Sequence, residues 1–160
     1  MAKFYSTKTY GNEQGLSCCF RQWAAEHSHC SLLHGYSIGV KLTFECESLD
    51  ERNWVQDFGG LKDFKEWLKY MFDHTLLVAE DDPLLDNFTA LESIQGGWEN
   101  KGIVDLRIVP GVGCEKFAQL IHNTLSEMLH VNKHNSLTPT VKLKSVEVFE
   151  HGANSAIYEE

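Results

Sequence analysis

The residues best able to do chemistry in this sequence are crowded into one short stretch. His27, His29, Cys30, His34 and Tyr36 fall within ten positions. Zinc prefers neutral imidazole among nitrogen ligands, and a catalytic zinc site keeps three protein ligands and one position open for water or substrate. Three of the eight histidines of the chain lie here within eight positions. The stretch therefore predicts a zinc site made by three histidines.

Two apolar segments must position this stretch. Residues 16–25 and 37–44 alternate in the way that is typical of strands and are rich in β-branched and aromatic side chains. In an extended chain, residues two apart share a face, so His27 and His29 would point the same way, and His34 would point with Tyr36 after the turn. We therefore expect the three imidazoles to come within reach of one ion.

Other interpretations of the same stretch stay open. A histidine on a strand is commonly a hydrogen-bonded structural residue, although the number of histidines here favours a metal. Cys30 could be a ligand itself. We do not include Cys30 among the metal ligands, because a thiol beside a zinc-bound substrate could serve as a base.

Five motifs, in this order, resemble those of one family. Residues 23–27 (WAAEH) resemble its F-x-A-x-H strand, and Cys30 with His34 and Gly35 resembles the start of its C-x-x-x-H-G-H. Three later segments are similar to its D-F-x-x-L-K, L-D-H-x-x-L and closing V-x-E motifs: residues 55–62, 72–77 and 148–150. On these motifs the chain is identified as a member of the superfamily of 6-pyruvoyl tetrahydropterin synthase and 6-carboxytetrahydropterin synthase.

One departure from the family pattern concerns the metal. Tyr36 stands where the family's second motif ends in a histidine that is its third zinc ligand. We expect His29, two residues past His27, to supply the missing nitrogen, with Tyr36 as the second candidate. The expected metal ligands are therefore His27, His29 and His34.

The resemblance implies a fold and a reaction. The fold is the tunnelling fold (T-fold), an α+β fold in which an antiparallel β-sheet carries two helices on one face and subunits join edge to edge into a homo-oligomer, a hexamer by resemblance. The reaction is that of a lyase, the zinc-dependent (Zn²⁺) conversion of 7,8-dihydroneopterin triphosphate to 6-carboxy-5,6,7,8-tetrahydropterin, on the route to queuosine and other deazapurines. The alternatives are 6-pyruvoyl tetrahydropterin synthase, a non-catalytic protein that binds a pterin or purine, and a zinc-stabilised structural domain.

The resemblance also implies catalytic residues. Cys30, as a thiolate, would remove a proton, and Asp73 with His74 would accept or return one. Without the resemblance, His74 is an ordinary residue at a helix C-terminus. Arg21 and nearby lysines are candidates for holding the triphosphate.

Two glutamates are expected to bind the substrate. Glu150 continues the apolar alternation of the last long strand and would point inward, where a carboxylate suits a flat heterocycle with adjacent N–H groups; otherwise it would bond to backbone or to an arginine. Glu115 matches the glutamate of the family's P-T-x-E, although Val112 and Gly113 replace the proline and threonine. Cys114 is expected to be a small buried residue.

The length and composition predict a single domain over residues 1–160, which the resemblance implies is pterin-synthase-like. The 160 residues are 42% hydrophobic and 23% charged. A formal charge of -9 argues against nucleic-acid binding, but the 14 basic residues allow a local positive pocket for a phosphorylated small molecule. Five cysteines without paired spacing favour a reducing compartment, and we find no signal or membrane-spanning segment. We expect a cytoplasmic protein with no membrane partner.

Periodicity predicts the remaining elements. Apolar stripes at helical spacing predict helices at residues 61–72 and 112–129, with Asp57 as the carboxylate at the first helix start. Residues 79–101 are an apparent insertion relative to the family, either a solvated loop or an oligomer contact. Strands are expected at residues 103–109 and 141–150, followed by a tail strand, with a polar connection at 132–139.

Overall fold

The computed structural model describes residues 2–100, 102–132 and 141–160. Within them the chain forms seven strands and three α-helices. In chain order these are β1 (Phe4–Tyr10), β2 (Ser17–Phe20), β3 (His34–Cys46), α1 (Lys62–Phe72), β4 (Thr75–Ala79), α2 (Leu85–Glu92), β5 (Leu106–Val109), α3 (Cys114–Asn132), β6 (Lys142–Glu150) and β7 (Asn154–Glu159).

Strand β3 is the centre of the sheet. Its first residues pair with β2, its later residues lie between β1 and β6, and β7 pairs with β6; all of these pairs are antiparallel. On the other side, β2 pairs in parallel with β4, and β4 in parallel with β5. The connection from β4 to β5 contains α2, and parallel neighbours require a long crossover of this kind. The expected α+β fold is confirmed, with a sheet that is mixed at this end rather than wholly antiparallel.

Both predicted helices pack on one face of the sheet. Alternate residues of β3, from Ile38 to Phe44, are fully buried and define that core face. Helix α1 buries Phe64, Leu68 and Phe72, while α3 buries Phe117, Ile121 and Leu125. Fully burying such a side chain stabilises by roughly 1.5–3 kcal/mol, so the face is strongly specified. Any residue that shares it is directed towards the two helices.

The first predicted strand ends earlier than expected, and this changes the placement of two histidines. Strand β2 stops at Phe20, and residues 21–33 form turns and a short 3₁₀-helix that starts at His29. The hydroxyl of Ser28 accepts the Cys30 N–H at 3.2 Å and caps that turn. Such local hydrogen bonds compete with strand pairing. His27 and His29 therefore do not lie on a strand, and the rule that residues two apart share a face does not apply to them.

The other predicted elements are confirmed or fall outside the described residues. Asp57 accepts the Gly59 N–H at 2.8 Å, at the turn that leads into α1. The short strand after the insertion is β5, the last long strand is β6, and the tail strand is β7. The predicted connection at 132–139 lies, after its first residue, outside the described residues. No helix in the described part of the chain has the length and apolarity needed to cross a membrane.

Candidate active site

The first residues of β3 carry aromatic side chains that stack on one another and on Phe20 of β2. The ring of Tyr36 lies 3.9 Å from that of Phe20, nearly parallel to it, and 4.5 Å from that of His34. His34 and Tyr36 are two residues apart on the strand and share the core face. The His34 Nδ1 is 2.7 Å from the carbonyl oxygen of Leu32. Because a carbonyl only accepts, Nδ1 of His34 carries the hydrogen of this bond.

The phenol of Tyr36 is surrounded by acidic groups. Burial, followed by the charge of the Glu150 carboxylate, raises the pKa of Tyr36 to about 12. Three thiols contribute as well: those of Cys30, Cys114 and Cys18. Tyr36 therefore keeps its proton at neutral pH and can donate a hydrogen bond.

Glu150 is the last residue of β6 and lies on the same side of the sheet as Tyr36. It pairs with the fully buried Ile38 of β3, so it lies on the core face, as its alternation predicted. The thiol of Cys114 lies 3.7 Å from Oε1 of Glu150 and can donate to it. Burial, followed by the charges of Glu150 and Glu115, raises the pKa of Cys114 to about 12, so this thiol stays protonated. The second oxygen of Glu150 has no hydrogen-bond partner among the described residues and is available to a ligand.

The start of α3 is tied to the loop that carries Cys30. Gly113 has a φ of 111°, and a Cβ there would meet Nε2 of Gln22 at 2.7 Å. The backbone N–H of Gln22 in turn donates to the carbonyl of Cys30 at 2.8 Å. Glu115 is exposed, with one carboxylate oxygen 3.6 Å from the same Cβ position. Glycine at 113 therefore allows the loop and the helix start to approach closely.

Two aspartates that follow β4 bind the first residues of the loop that carries Cys30. Arg21 donates to both carboxylate oxygens of Asp82, at 2.9 and 2.7 Å, and the side chain of Asp82 is only 1% exposed. The indole N–H of Trp23 donates to Asp81 at 3.2 Å. Arg21 is therefore engaged by Asp82 instead of being free to hold a triphosphate. The apparent insertion contributes this anchor at its start, so it is more than a solvated loop.

Asp73 and His74 form the expected pair but do not join Cys30. Nδ1 of His74 is 2.5 Å from Oδ1 of Asp73, and the His74 side chain is 87% exposed. The His74 N–H donates to the carbonyl of Ser17 at the start of β2, whereas Cys30 is hydrogen-bonded to Gln22 just past the end of β2, so the length of β2, roughly 10 Å, lies between the pair and the Cys30 loop. No hydrogen bond or ion pair links it to Cys30 in the described part of the molecule. Within one chain, the thiol and the acid–base pair are thus separate.

The three histidines expected to bind zinc lie in three different local structures. His27 lies in a turn, His29 starts the 3₁₀-helix, and His34 is on β3. Across residues 2–100, 102–132 and 141–160, no three histidine, cysteine, aspartate or glutamate side chains form a group that could hold a metal ion. Tyr36, the second candidate for the missing ligand, is stacked on Phe20.

Sequence reasoning missed three residues that shape this site. Cys18 lies on the core face of β2 opposite Tyr36, and it could have been found from its alternation with Phe20. Gln22 and Asp82 gave no local signal, because an isolated amide and an acidic run are both ordinary on a surface. Their roles come from contacts made far along the chain.

Comparison with known proteins identifies the family. A family model described as 6-pyruvoyl tetrahydropterin synthase matches residues 11–160. A 6-carboxy-5,6,7,8-tetrahydropterin synthase of Rickettsia conorii is 36% identical over 59 residues, which are 36% of this chain and 43% of that relative. The chain thus aligns with less than half of that relative's length. A protein of the same name from Aquifex aeolicus is 25% identical over 134 residues, which are 82% of this chain and 76% of that protein.

Two solved structures share the fold. An uncharacterized protein of Wolinella succinogenes superposes with a TM-score of 0.74 at 22% identity, covering 100% of this chain and 99% of the other. A catalytic-residue mutant of Plasmodium vivax 6-pyruvoyltetrahydropterin synthase gives a TM-score of 0.70 at 16% identity, with the same coverage. At these identities the likeness shows the fold alone. The family model, however, spans most of the sequence and covers all five motifs, so the chain belongs to the 6-pyruvoyl tetrahydropterin synthase family.

Proposed function

We propose that this protein is a cytoplasmic 6-carboxy-5,6,7,8-tetrahydropterin synthase that acts on 7,8-dihydroneopterin triphosphate. The observation that carries the proposal is the Glu150 carboxylate, which has one free oxygen and lies on the core face beside Tyr36 and Cys114. This is the position at which the family resemblance places the residue that binds the pterin. The names of the curated relatives favour the 6-carboxy product.

Glu150 would fix the ring. A carboxylate accepts at both oxygens, whereas the amide of a glutamine accepts at only one and presents a donor in place of the other. The adjacent amino and ring N–H groups of a pterin match two acceptors side by side. Cys114 keeps one oxygen of Glu150 oriented through its protonated thiol. We therefore expect Glu150→Gln to abolish pterin binding.

Cys30 would act as the base on the substrate side chain. It is half-buried in the loop, and its backbone is held by Ser28 and Gln22. A thiolate in this place could remove a proton from the hydroxylated side chain of the pterin. Overall, the substrate and one water would give 6-carboxytetrahydropterin, acetaldehyde and triphosphate, with the C–C bond of the side chain broken to release the acetaldehyde. Cys18 and Cys114 are poor candidates for this step, because burial raises the pKa of each to about 12.

A second copy of the chain would complete the site. The Asp73–His74 pair is exposed and separate from Cys30 within one chain. Strands β1 and β7 lie at edges of the sheet, and exposed edge strands are able to pair with another chain. We infer a homo-oligomer, a hexamer by family resemblance, in which the pair of one subunit meets the thiol of its neighbour.

Subunit complementation tests this arrangement. Cys30→Ala and His74→Ala should each be inactive alone. After the two variants are mixed under conditions that exchange subunits, part of the activity should return, because some interfaces then combine an intact thiol with an intact imidazole. Complementation that never occurs in demonstrably mixed oligomers would place both residues in one subunit's site.

The three candidate functions predict different products when the protein is incubated with 7,8-dihydroneopterin triphosphate. The 6-carboxy synthase releases acetaldehyde, whereas 6-pyruvoyl tetrahydropterin synthase gives 6-pyruvoyl tetrahydropterin. A non-catalytic pterin-binding protein, favoured by Tyr36 and by the separated histidines, would bind the pterin and return it unchanged. Product analysis by mass spectrometry separates the three, and unchanged substrate with the purified oligomer would refute the enzyme.

Matched variants keep this experiment specific. Cys19→Ala alters a half-buried thiol that neighbours Cys18 but lies on the other face of β2, and it should retain activity that Cys30→Ala loses. Glu147→Gln alters a glutamate on the other face of β6 and should still bind the pterin. Equal losses in a variant and its control would indicate a folding defect and count against the assigned role.

A further inference from the structure

A cavity of about 220 Å³ opens on the side of the molecule where β1 meets the start of α1. Three of its lining residues are lysines: Lys8 on β1, and Lys62 and Lys65 on α1. The last two are three residues apart, so they project from the same side of the helix. The ammonium of Lys8 lies 5.5 Å from the ring of Tyr10 and 6.0 Å from that of Phe58, and both rings line the cavity.

These three lysines differ from other lysines of the protein because they have no acidic partner. Lys3, Lys69 and Lys144 each form an ion pair with a glutamate. Over the described residues, Lys8, Lys62 and Lys65 form none, and no carboxylate lines the cavity. Three uncompensated ammonium groups around one concavity make it locally positive in a chain whose net charge is -9.

The shape and chemistry of the cavity select the kind of ligand. Its volume is below the roughly 300–1,000 Å³ of sites that hold a whole drug-sized molecule, so it suits a flexible part of one. Thr9 and Gln14 add polar groups to the wall. The Gly59 N–H is already engaged by Asp57, so an anion here would be held by the lysines rather than by the end of the helix.

We propose that Lys8, Lys62 and Lys65 form a binding site for an oligophosphate chain. Ammonium groups bind phosphate oxygens through charge-assisted hydrogen bonds, and three of them match a chain with several negative charges. A compact concavity favours a small-molecule phosphate over nucleic acid, which requires an extended basic surface. One source of such a ligand is the triphosphate of the pterin substrate, reaching this cavity across a subunit contact, and that assignment rests on the proposed function. Binding of a free oligophosphate does not depend on the proposed function.

Direct binding tests the site without any requirement for turnover. Isothermal titration of the oligomer with inorganic tripolyphosphate should give saturable binding that weakens as NaCl rises from about 50 to about 300 mM. Lys62→Gln and Lys65→Gln should each weaken it about tenfold, since each removes one charge-assisted contact. Lys69→Gln, which makes the same charge change on the next turn of the same helix, should leave it within about twofold. No saturable binding, or equal weakening in Lys69→Gln, would overturn the proposal.

Kinetics then identify the source of the phosphate. A raised KM for 7,8-dihydroneopterin triphosphate in Lys62→Gln, with kcat unchanged, assigns the site to the substrate. An unchanged KM with lost tripolyphosphate binding assigns it to a free oligophosphate. Tripolyphosphate binding without any turnover would count against the proposed function while supporting the site. Preferential binding of a short RNA over tripolyphosphate would refute the site as described.

Discussion

Replacing Asp82 by alanine should destabilise the protein by breaking the anchor of the Cys30 loop. The carboxylate of Asp82 accepts two hydrogen bonds from Arg21, at 2.9 and 2.7 Å, and one from the Leu84 N–H at 2.8 Å. Its side chain is 1% exposed, whereas that of Arg21 is 19% exposed. The substitution therefore removes three charge-assisted bonds and leaves a guanidinium that only partly regains water.

The size of the effect follows from this geometry. Removing one partner of a buried ion pair costs roughly 3–5 kcal/mol when the remaining charge stays buried. Because Arg21 can partly rehydrate, we expect Asp82→Ala to lower the free energy of unfolding by about 2–4 kcal/mol. In a chain of this length each kcal/mol lowers Tm by about 2–4 °C, so Tm should fall by roughly 5–15 °C.

The contribution should also depend on pH. Burial alone would raise the pKa of Asp82, but the hydrogen bonds from Arg21 and Leu84 outweigh burial and hold this pKa below its usual value. The stabilisation is therefore complete above the unfolded pKa of about 3.9 and is lost as the pH falls through the lower folded value. Asp82→Ala should lack this part of the acid destabilisation.

Urea and thermal unfolding, followed by circular dichroism, measure the effect. A double-mutant cycle with Arg21→Ala should give a coupling energy of at least about 1 kcal/mol. Glu159→Ala is the control, because its ion pair with Lys144 is solvent-accessible and should contribute little to the free energy of unfolding. A loss of stability below about 0.5 kcal/mol in Asp82→Ala, or a coupling energy near zero, would refute the proposed anchor.

Three further outcomes are expected from the site. Gly113→Ala should lower the free energy of unfolding by about 1–3 kcal/mol, measured by urea denaturation, because its φ is 111° and the new Cβ would meet a loop amide. Iodoacetamide at pH 8 should label Cys30 well before Cys18 in peptide mass spectra, because burial raises the pKa of Cys18 to about 12; faster labelling of Cys18 would contradict this. Tyr36→His should raise the zinc content found by elemental analysis of the purified protein, because it adds an imidazole beside His34 on the same strand face; unchanged zinc would show that this position does not limit metal binding.

The sequence was sufficient to predict the elements whose pattern is local. The apolar stripe of residues 61–72 became α1, because a repeat near 3.6 residues places one face of a helix against the core wherever the helix lies. The strand alternation that ends at Glu150 likewise predicted its inward direction. The family resemblance, carried by short motifs in order, is confirmed by the family model.

The sequence did not predict how residues 21–33 fold. Its alternation continued past Phe20, and a strand was expected where the chain instead turns. The turn is held by Ser28 locally and by Asp82 from 61 residues away. The apolar pattern of a segment does not record such contacts. The prediction that His27 and His29 share a face therefore assumed an extended strand, whereas the chain turns there.

What the sequence by itself determined, then, is the set of reactive groups, the faces of its helices and strands, and the family. Only the tertiary structure decided that Glu150, Tyr36 and Cys114 lie together, that the Asp73–His74 pair is remote from Cys30 in one chain, and that three lysines surround one cavity. The physical reason is that periodicity records the direction of a side chain relative to its own backbone. Distances between side chains depend on how strands order in the sheet and on where loops are anchored by distant partners.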